Sequence, residues 1–218
     1  MHHTTQGIVL GVTRYKDNAY IATIFTKDFG KISYSIYNPQ SKKAKVRTQH
    51  LGAMSLLDLE VTHRENKDIQ QITEAKLHSL SYALYEEPAK ISICLFMADV
   101  IQKSLESRNA DTQLFDFLVH CIESLISSKQ VGLFALSFLL DYAKFIGIYP
   151  YDQMENEVIR YLPNSDKNLF LTLLDSPEKL SLTDRRRSLQ LLINYYQQFI
   201  PGMEHLKSLS VLTEVFSA

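Results

Sequence analysis

The first eighty residues alternate apolar and polar positions with the period of two that β-strands show. The segment KISYSIY places isoleucine, tyrosine and isoleucine on one face and serines on the other, and SLLDLEVTH repeats this alternation. Five short segments of this kind follow one another, at residues 7–15, 20–26, 31–37, 55–63 and 69–77. Five strands in about 75 residues are too few for a sandwich and suit a small closed barrel.

The period changes to three and four residues after Glu86-Glu87-Pro88, which is typical of helices. Pro88 suits the first position of a helix, because proline lacks the N–H that is unsatisfied there. The inner face predicted for this helix is Ile91, Cys94, Leu95, Ala98, Ile101 and Leu105. The chain is therefore predicted to be α+β, with a barrel domain at 1–80 and an all-helical domain at 81–218.

Further helices are predicted from their caps and apolar faces. Asp111 caps a second helix, whose inner face contains Leu114, Phe115, Leu118, Ile122 and Leu125. Residues 131–146 are apolar on nearly every face and should form a buried helix that Gly147 and Pro150 end. The remaining helices are a short one capped by Ser165, one capped by Thr183 and ended by Pro201-Gly202, and one at 208–216.

Composition narrows the class of protein. The chain of 218 residues is 45% hydrophobic, which is ample for a buried core, but no uncharged apolar run of about 18 residues predicts a membrane span. The first residues lack the basic and apolar regions of a signal peptide. Cys94 and Cys121 lie inside helical patterns and should be buried free thiols, which fits a reducing, cytoplasmic setting.

Positive charge is concentrated in the predicted barrel, with 11 Lys and Arg against 7 Asp and Glu in residues 1–80. The most distinctive segment is NPQSKKAKVR, residues 38–47, in which Lys42, Lys43, Lys45 and Arg47 follow a strand-breaking Asn-Pro. One interpretation is a solvated connecting loop. The other is a clamp for a phosphate backbone, since concentrated Lys and Arg release condensed counterions on binding.

Aromatic residues on the same strands add a second indication of nucleic-acid binding. Tyr37 falls on the face opposite the apolar residues of its strand, so it is the best candidate for stacking on a base, although a strand-end tyrosine without a ligand is a close alternative. The secondary candidates for DNA contacts are Arg14, Lys16, Lys27 and Lys31.

A second basic cluster, Arg185-Arg186-Arg187, lies in the first turn of a predicted helix within an otherwise acidic half of the chain. One interpretation is an internal salt bridge to Asp141, Asp184 or Glu204. The alternative is an anion site for an acidic peptide, to which Lys144 would also contribute.

Catalysis is poorly supported. The chain has no Gly-rich phosphate loop, no GxSxG and no HExxH, and its carboxylates are dispersed on predicted helix surfaces. We therefore expect a protein that is not an enzyme and has no catalytic residue and no cofactor.

The chain resembles the RecO family of recombination mediators along nearly its whole length. The resemblance rests on the order of several short motifs: the opening GIVL, the hairpin Phe29-Gly30-Lys31, the basic segment Ser41–Arg47, the strand Ser55–Val61, IQQITEA at 69–75, the segment Leu139–Pro150 and the closing KSLSVLTEVF. It implies that the barrel is of the OB type.

The resemblance also implies partners. Members of this family bind single-stranded and double-stranded DNA, anneal complementary strands, engage RecR and help RecA displace single-stranded-DNA-binding protein. The acidic, Phe-containing tail of that protein should bind the helical domain at the arginine cluster. The competing interpretation is an interaction scaffold whose barrel binds a protein rather than DNA.

The sequence departs from many relatives in lacking a four-cysteine zinc site after Pro150, because residues 151–166 contain neither cysteine nor histidine. Structural zinc requires four ligands. We therefore predict that metal analysis of the purified, untagged protein will find no stoichiometric zinc and that a chelator will not shift its melting temperature. About one zinc per chain after dialysis would contradict this.

Overall fold

A computed structural model describes residues 1–41, 44–64, 66–106, 108–128, 131–150, 160 and 162–215 of the chain. The predicted fold class is confirmed, with a five-stranded barrel first and helices after it. The strands are β1 (His2–Lys16), β2 (Ala19–Thr26), β3 (Gly30–Tyr37), β4 (Leu56–Thr62) and β5 (Ile69–Leu77). Each predicted strand is present, and β1 begins five residues earlier than its alternation indicates.

The barrel closes because β1 is long enough to pair with two neighbours. Its first half runs antiparallel to β4, from the pair His2–Thr62 to the pair Ile8–Leu56, and its second half runs antiparallel to β2. The order around the barrel is β1-β2-β3-β5-β4, in which β3 and β5 are the parallel pair. Each strand of the closed sheet therefore has a neighbour on both sides.

The alternation predicted for β3 and β4 is confirmed by burial. Ile32, Tyr34 and Ile36 are buried while Tyr37 is exposed. In β4, leucine and valine positions 57, 59 and 61 are buried, and the intervening Asp58 is exposed. The turn before β3 also forms as predicted, with Gly30 at a φ of 70°.

Gly7 is the point at which the two halves of β1 meet. It pairs with Thr26 of β2 and with Leu57 of β4. A Cβ atom on Gly7 would lie 2.6 Å from Ile24 Cγ2 and 2.7 Å from Leu59 Cδ1. The interior of the barrel is therefore filled up to the backbone here, and a residue without a side chain is required.

Two helices belong to the same compact unit as the barrel, which comprises Met1–Ser127. Helix α1 (Pro88–Ser104) begins at Pro88, as predicted, and α2 is Thr112–Ser127. The predicted cap of α2 is confirmed, since Asp111 Oδ1 accepts the backbone N–H of Leu114 at 2.9 Å.

The inner face predicted for α1 is wrong at Leu95, which is 41% exposed. Phe96, Met97 and Val100 are fully buried instead. Because α1 is apolar around most of its circumference, the spacing of its apolar residues could not decide which side faces the core.

The second compact unit is Ser128–Ala218. Its helices, within the described residues, are α3 (Phe134–Phe145), α4 (Asn164–Asp175), α5 (Leu182–Tyr196) and α6 (Lys207–Val215). The helix predicted over 131–146 starts with a separate 3₁₀ turn, Val131–Leu133, and α5 ends before the predicted Pro201-Gly202. The predicted division into domains after residue 80 stays a prediction, since a compact unit can contain more than one domain.

The caps predicted for the last helices are corrected by the structure. Helix α4 begins at Asn164, so Ser165 lies inside its first turn, and the residue before the helix, Pro163, offers no side-chain cap. Ser181, not Thr183, caps α5 by accepting the backbone N–H of Asp184 at 3.2 Å. Each helix begins one or two residues before the position that its predicted cap indicated, which is the usual uncertainty of a helix boundary predicted from sequence.

We predict that Gly7→Ala destabilises the protein by about 1–3 kcal/mol, because the added methyl overpacks the barrel where β1 passes between its two partners. Gly11→Ala is the matched control, since a Cβ there would meet only the flexible amide of Gln102, at 3.0 Å. Urea denaturation of both variants measures the difference. Equal free energies of unfolding for the two variants would contradict the account of barrel closure.

Candidate nucleic-acid interface

One end of the barrel gathers several of the residues predicted to contact DNA. Lys16 of β1 pairs with Ala19 of β2, and Ala19 pairs with Tyr37 of β3. The backbone N–H of Asn38 donates to Asn18 O at 2.8 Å, so the basic segment leaves β3 beside the β1–β2 turn. We define the basic end of the barrel as Arg14, Tyr15, Lys16, Tyr37, Lys45 and Arg47.

The basic segment is fixed to the barrel by its apolar residues. Val46 and Leu51 are buried in the barrel core. The backbone N–H of Ala75 in β5 donates to Lys45 O at 3.3 Å. Lys45 and Arg47 flank the buried Val46 and are themselves exposed. The segment is thus not merely a solvated connection over its described part, and Val46 holds two basic residues at the surface.

Sequence reasoning missed the role of Val46, although the order Lys-Val-Arg is itself a short alternation of polar and apolar positions. Lys42 and Lys43, the two other first-rank candidates, lie outside the described residues. Their role as phosphate contacts stays a prediction.

Lys45 has an acidic neighbour that it shares with a second lysine. Its Nζ lies 3.3 Å from Glu74 Oε2, and Lys76 Nζ lies 3.5 Å from Glu74 Oε1. The hydrogen bond from Lys45, and then the charges of Lys45 and Lys76, lower the pKa of Glu74. The Lys45 side chain is 69% exposed. It can therefore turn toward a phosphate while Lys76 remains beside the carboxylate.

The aromatic and basic residues at the end of β1 are also exposed. Tyr15 is 63% and Tyr37 is 68% exposed, so the predicted solvent side of Tyr37 is confirmed, while its stacking on a base stays a prediction. Lys16 Nζ lies 5.5 Å from the centre of the Tyr15 ring. Arg14 Nη2 lies 3.5 Å from Asp17 Oδ1 and donates to the backbone oxygen of Asp17 at 3.3 Å, and these exposed contacts are weak competitors for a phosphate.

Lys27 and Lys31, by contrast, have structural partners away from the basic end. Lys27 Nζ is 2.9 Å from Asp116 Oδ1 of α2. Lys31 Nζ donates to the carbonyl oxygens of Gln102 at 2.8 Å and of Leu105, at the C-terminus of α1. Burial lowers the pKa of Lys31. Both ammonium groups hold helices against the barrel, so we leave them out of the interface.

The basic residues of the helical unit separate into two groups. Arg187 forms an ion pair with Asp166 of α4, whose side chain is 14% exposed, and Lys144 Nζ is 2.8 Å from Asp141 Oδ1. The hydrogen bond to Asp141 raises the pKa of Lys144. The internal salt bridge that was one interpretation of the arginine cluster is thus present at Arg187. Its acidic partner is Asp166, which was not among the three acids expected, because α4 packs on α5.

Arg185 and Arg186 instead line an apolar groove of the helical unit. We call it the arginine groove, and its apolar walls are Ala135, Leu136, Leu182, Leu189 and Leu212. Arg185 Nε donates to Leu180 O at 3.0 Å, which fixes its guanidinium at the rim. A Cβ on Gly132 would lie 3.2 Å from Arg185 Nη1, so a small residue keeps this side of the groove open.

Two family models match parts of this chain. The family model described as Recombination protein O N terminal matches residues 1–80, and the model described as Recombination protein O C terminal matches residues 85–153. The DNA repair protein RecO of Porphyromonas gingivalis is 31% identical, over 97% of this chain and 98% of the relative.

The chain belongs to the RecO family.

Two other relatives extend the match over the whole length. The DNA repair proteins RecO of Bacteroides fragilis and of Azobacteroides pseudotrichonymphae are 29% and 28% identical, each over 99% of this chain and 100% of the relative. Membership of the RecO family gives the chain a role in DNA repair and recombination. The N-terminal match contains the basic end of the barrel, whereas the arginine groove lies mostly beyond the C-terminal match.

Two further observations concern only the residues that the structure describes. Among them, no three His, Cys, Asp or Glu side chains are grouped so that they could hold a metal ion. Residues 151–159 lie outside the described part, so the absence of zinc stays a prediction. No helix in the described part is both long enough and apolar enough to cross a membrane.

Proposed function

We propose that the chain is a recombination mediator that binds single-stranded and double-stranded DNA with its barrel, anneals complementary strands and acts with RecR to help load RecA. This activity belongs in the bacterial cytoplasm, on the DNA of the nucleoid. Membership of the RecO family supports the proposal. Annealing forms no covalent bond, so it requires no catalytic residue.

The observation that carries the proposal is the basic end of the barrel. Two exposed tyrosines, Tyr15 and Tyr37, lie at the ends of β1 and β3, the two strands that flank β2, and exposed Arg and Lys side chains lie at the same end of the barrel. OB barrels hold single strands by combining cations that follow the phosphates with aromatic rings on which bases stack. The basic end contains both kinds of group.

The weak ion pairs of the basic end suit an annealing protein. Arg14 exchanges the exposed carboxylate of Asp17 for a phosphate, and Lys45 leaves the half-buried carboxylate of Glu74 to Lys76, so binding costs little and release is easy. Neutralising the phosphates of two strands lets them approach, and the paired product can then leave. A scaffold that binds only protein would need none of these exposed cations.

We predict that replacing Lys42, Lys43, Lys45 and Arg47 with alanine weakens binding to single-stranded oligonucleotides of every sequence alike, since phosphate contacts do not read bases. The slope of log affinity against log salt should become shallower by roughly 3, at about 0.7 for each lost phosphate contact. Fluorescence anisotropy at several salt concentrations measures both quantities, and strand annealing should slow in parallel.

The matched control removes four positive charges elsewhere, through alanine at Lys103, Arg160, Lys179 and Lys207. This control should keep the parental slope of log affinity against log salt, because the slope counts phosphate contacts and these four residues make none. A folded quadruple variant of the basic segment that also kept the parental slope would contradict the proposed interface. If the parental protein binds no oligonucleotide at all, the competing interpretation of a protein-binding scaffold is favoured.

The arginine groove supports a proposed site for the acidic, Phe-containing tail of single-stranded-DNA-binding protein. Its leucines can receive an aromatic side chain, and Arg185 and Arg186 at the rim suit the carboxylates of the tail. Arg187 and Lys144 are left out, because neither side chain lines the arginine groove.

We predict that Arg186→Glu weakens binding of the tail peptide roughly tenfold, because a charged hydrogen bond is replaced by repulsion. Lys179→Glu, the same change of charge at an exposed position outside the groove, should leave the affinity unchanged. Calorimetric titration with the peptide gives both values. Equal affinities for the two variants would mean that the tail binds elsewhere.

A further inference from the structure

A second concave surface lies at the opposite end of the barrel from the basic end. We call it the mouth pocket, and its lining includes His3, Phe29, Ile32, His63, Arg64 and Arg108. Its volume is about 790 Å³, within the range of pockets that hold a small ligand. Phe29 precedes β3 and Tyr37 ends it, so eight residues of extended chain, about 25 Å, separate the mouth pocket from the basic end.

The mouth pocket contains a group of aromatic rings. The ring centres of Phe29 and His63 are 4.0 Å apart, and His3 meets Phe29 edge-on at 5.2 Å. His63 Nε2 is 2.9 Å from the hydroxyl of the buried Tyr34, which fixes the orientation of the imidazole. Burial, and then the neighbouring His3, lower the pKa of His63. The neutral form of the imidazole is therefore favoured.

Hydrogen bonds tie the cations of the mouth pocket to the β4–β5 connection. The buried side chain of Gln70 accepts the backbone N–H of Arg64 at 2.8 Å, and it donates to the carbonyls of Arg64 at 2.9 Å and of Lys67 at 2.6 Å. Arg108 Nη2 donates to the same Lys67 carbonyl at 2.6 Å. The turn that carries Arg64 is thus positioned by one amide, and the Arg108 side chain is tied to it.

The acidic groups near the pocket are few within the described residues. Asp28 lines the pocket and is exposed. Asp68 is fully exposed and lies 3.1 Å from Arg108 Nη2. An exposed pair of this kind exchanges readily for a phosphate.

We propose that the mouth pocket binds one or two nucleotides of a second single strand of DNA, with a base stacked on Phe29 and His63 and a phosphate bound by Arg64 and Arg108. Flat rings and two guanidinium groups at one opening match the two parts of a nucleotide. An acidic peptide would match the guanidinium groups only. This inference rests on the proposed function, since it assumes that the barrel binds single-stranded DNA.

The consequence is a barrel that holds two strands at once, one at each end. Annealing requires two strands to meet, and a monomer with a single strand-binding surface would have to bring them together through collisions. Two surfaces on one barrel raise the local concentration of the second strand. The mouth pocket would then contribute to annealing rather than to the affinity for a single long strand.

The experiment uses the full chain with alanine at Lys42, Lys43, Lys45 and Arg47, so that binding at the basic end does not mask the mouth pocket. The probe is a 5′-phosphorylated trithymidylate with a 3′ fluorophore, and anisotropy measures its Kd. Arg64→Gln in this background should weaken binding at least about fivefold. Asp28→Asn should strengthen binding, because it removes a negative charge from the lining. Arg160→Gln, the same substitution at an exposed arginine outside the barrel, should leave the Kd unchanged.

The outcomes separate this inference from the proposed function. If Arg64→Gln and Asp28→Asn both leave the Kd within about twofold of the background, the mouth pocket does not bind nucleotides. If a triglutamate peptide competes as well as unlabelled trithymidylate does, the pocket recognises charge alone and the proposal is overturned. The proposed function fails on a different result, a salt slope for long oligonucleotides that the four alanines do not change.

Discussion

β1 pairs with β4 along its first half and with β2 along its second, and the rest of the barrel depends on this double pairing. It turns a five-stranded sheet into a closed surface, and it requires Gly7 where the two halves meet. Closure also sets two ends. The β1–β2 turn and the end of β3 form one of them, and the β2–β3 turn with the β4–β5 connection forms the other.

The chemistry of the two ends follows from what fills the barrel. At the basic end, Val46 and Leu51 occupy the core and leave Lys45 and Arg47 outside. At the other end, Tyr34 reaches His63 from within the core and turns its ring. Lys45 and Arg47 are thus positioned by the buried residue between them, and they need no strong ion pair to stay at the surface. Strong pairs occur where helices are held instead, as with Lys31 at the C-terminus of α1.

Much of the barrel could be predicted from the sequence because alternation with a period of two reports directly which side of a strand is buried. This holds for β3 and β4, and for the exposure of Tyr37. Helix α1 was harder, since its apolar residues surround it and Leu95 could not be distinguished from Phe96. The caps at Ser165 and Thr183 were wrong because a polar residue near a helix start does not fix the start: α4 begins after Pro163, which offers no side-chain cap, and α5 begins after Ser181.

The sequence predicted which basic residues could belong to the candidate site, but not which of them are already paired within the protein. The basic segment is visible as a run of charge, yet the sequence could not show that Lys27 and Lys31 contact α2 and α1, or that Arg187 pairs with Asp166. These pairings join residues far apart in the chain, and neither spacing nor composition reports them. The mouth pocket was missed because its rings come from three separate segments, none of which has an unusual composition.

The central claim is that a single strand binds at the basic end with a base on Tyr37. The chain contains no tryptophan, so Tyr37→Trp gives a fluorophore at this one position, and Tyr82→Trp gives a control at a residue that is 60% exposed outside the basic end. Addition of oligothymidylate should quench the emission of the Tyr37→Trp variant saturably, with less quenching at high salt, and should leave the emission of the Tyr82→Trp variant unchanged. Unchanged emission of the Tyr37→Trp variant under conditions in which labelled oligonucleotide is bound would contradict the account.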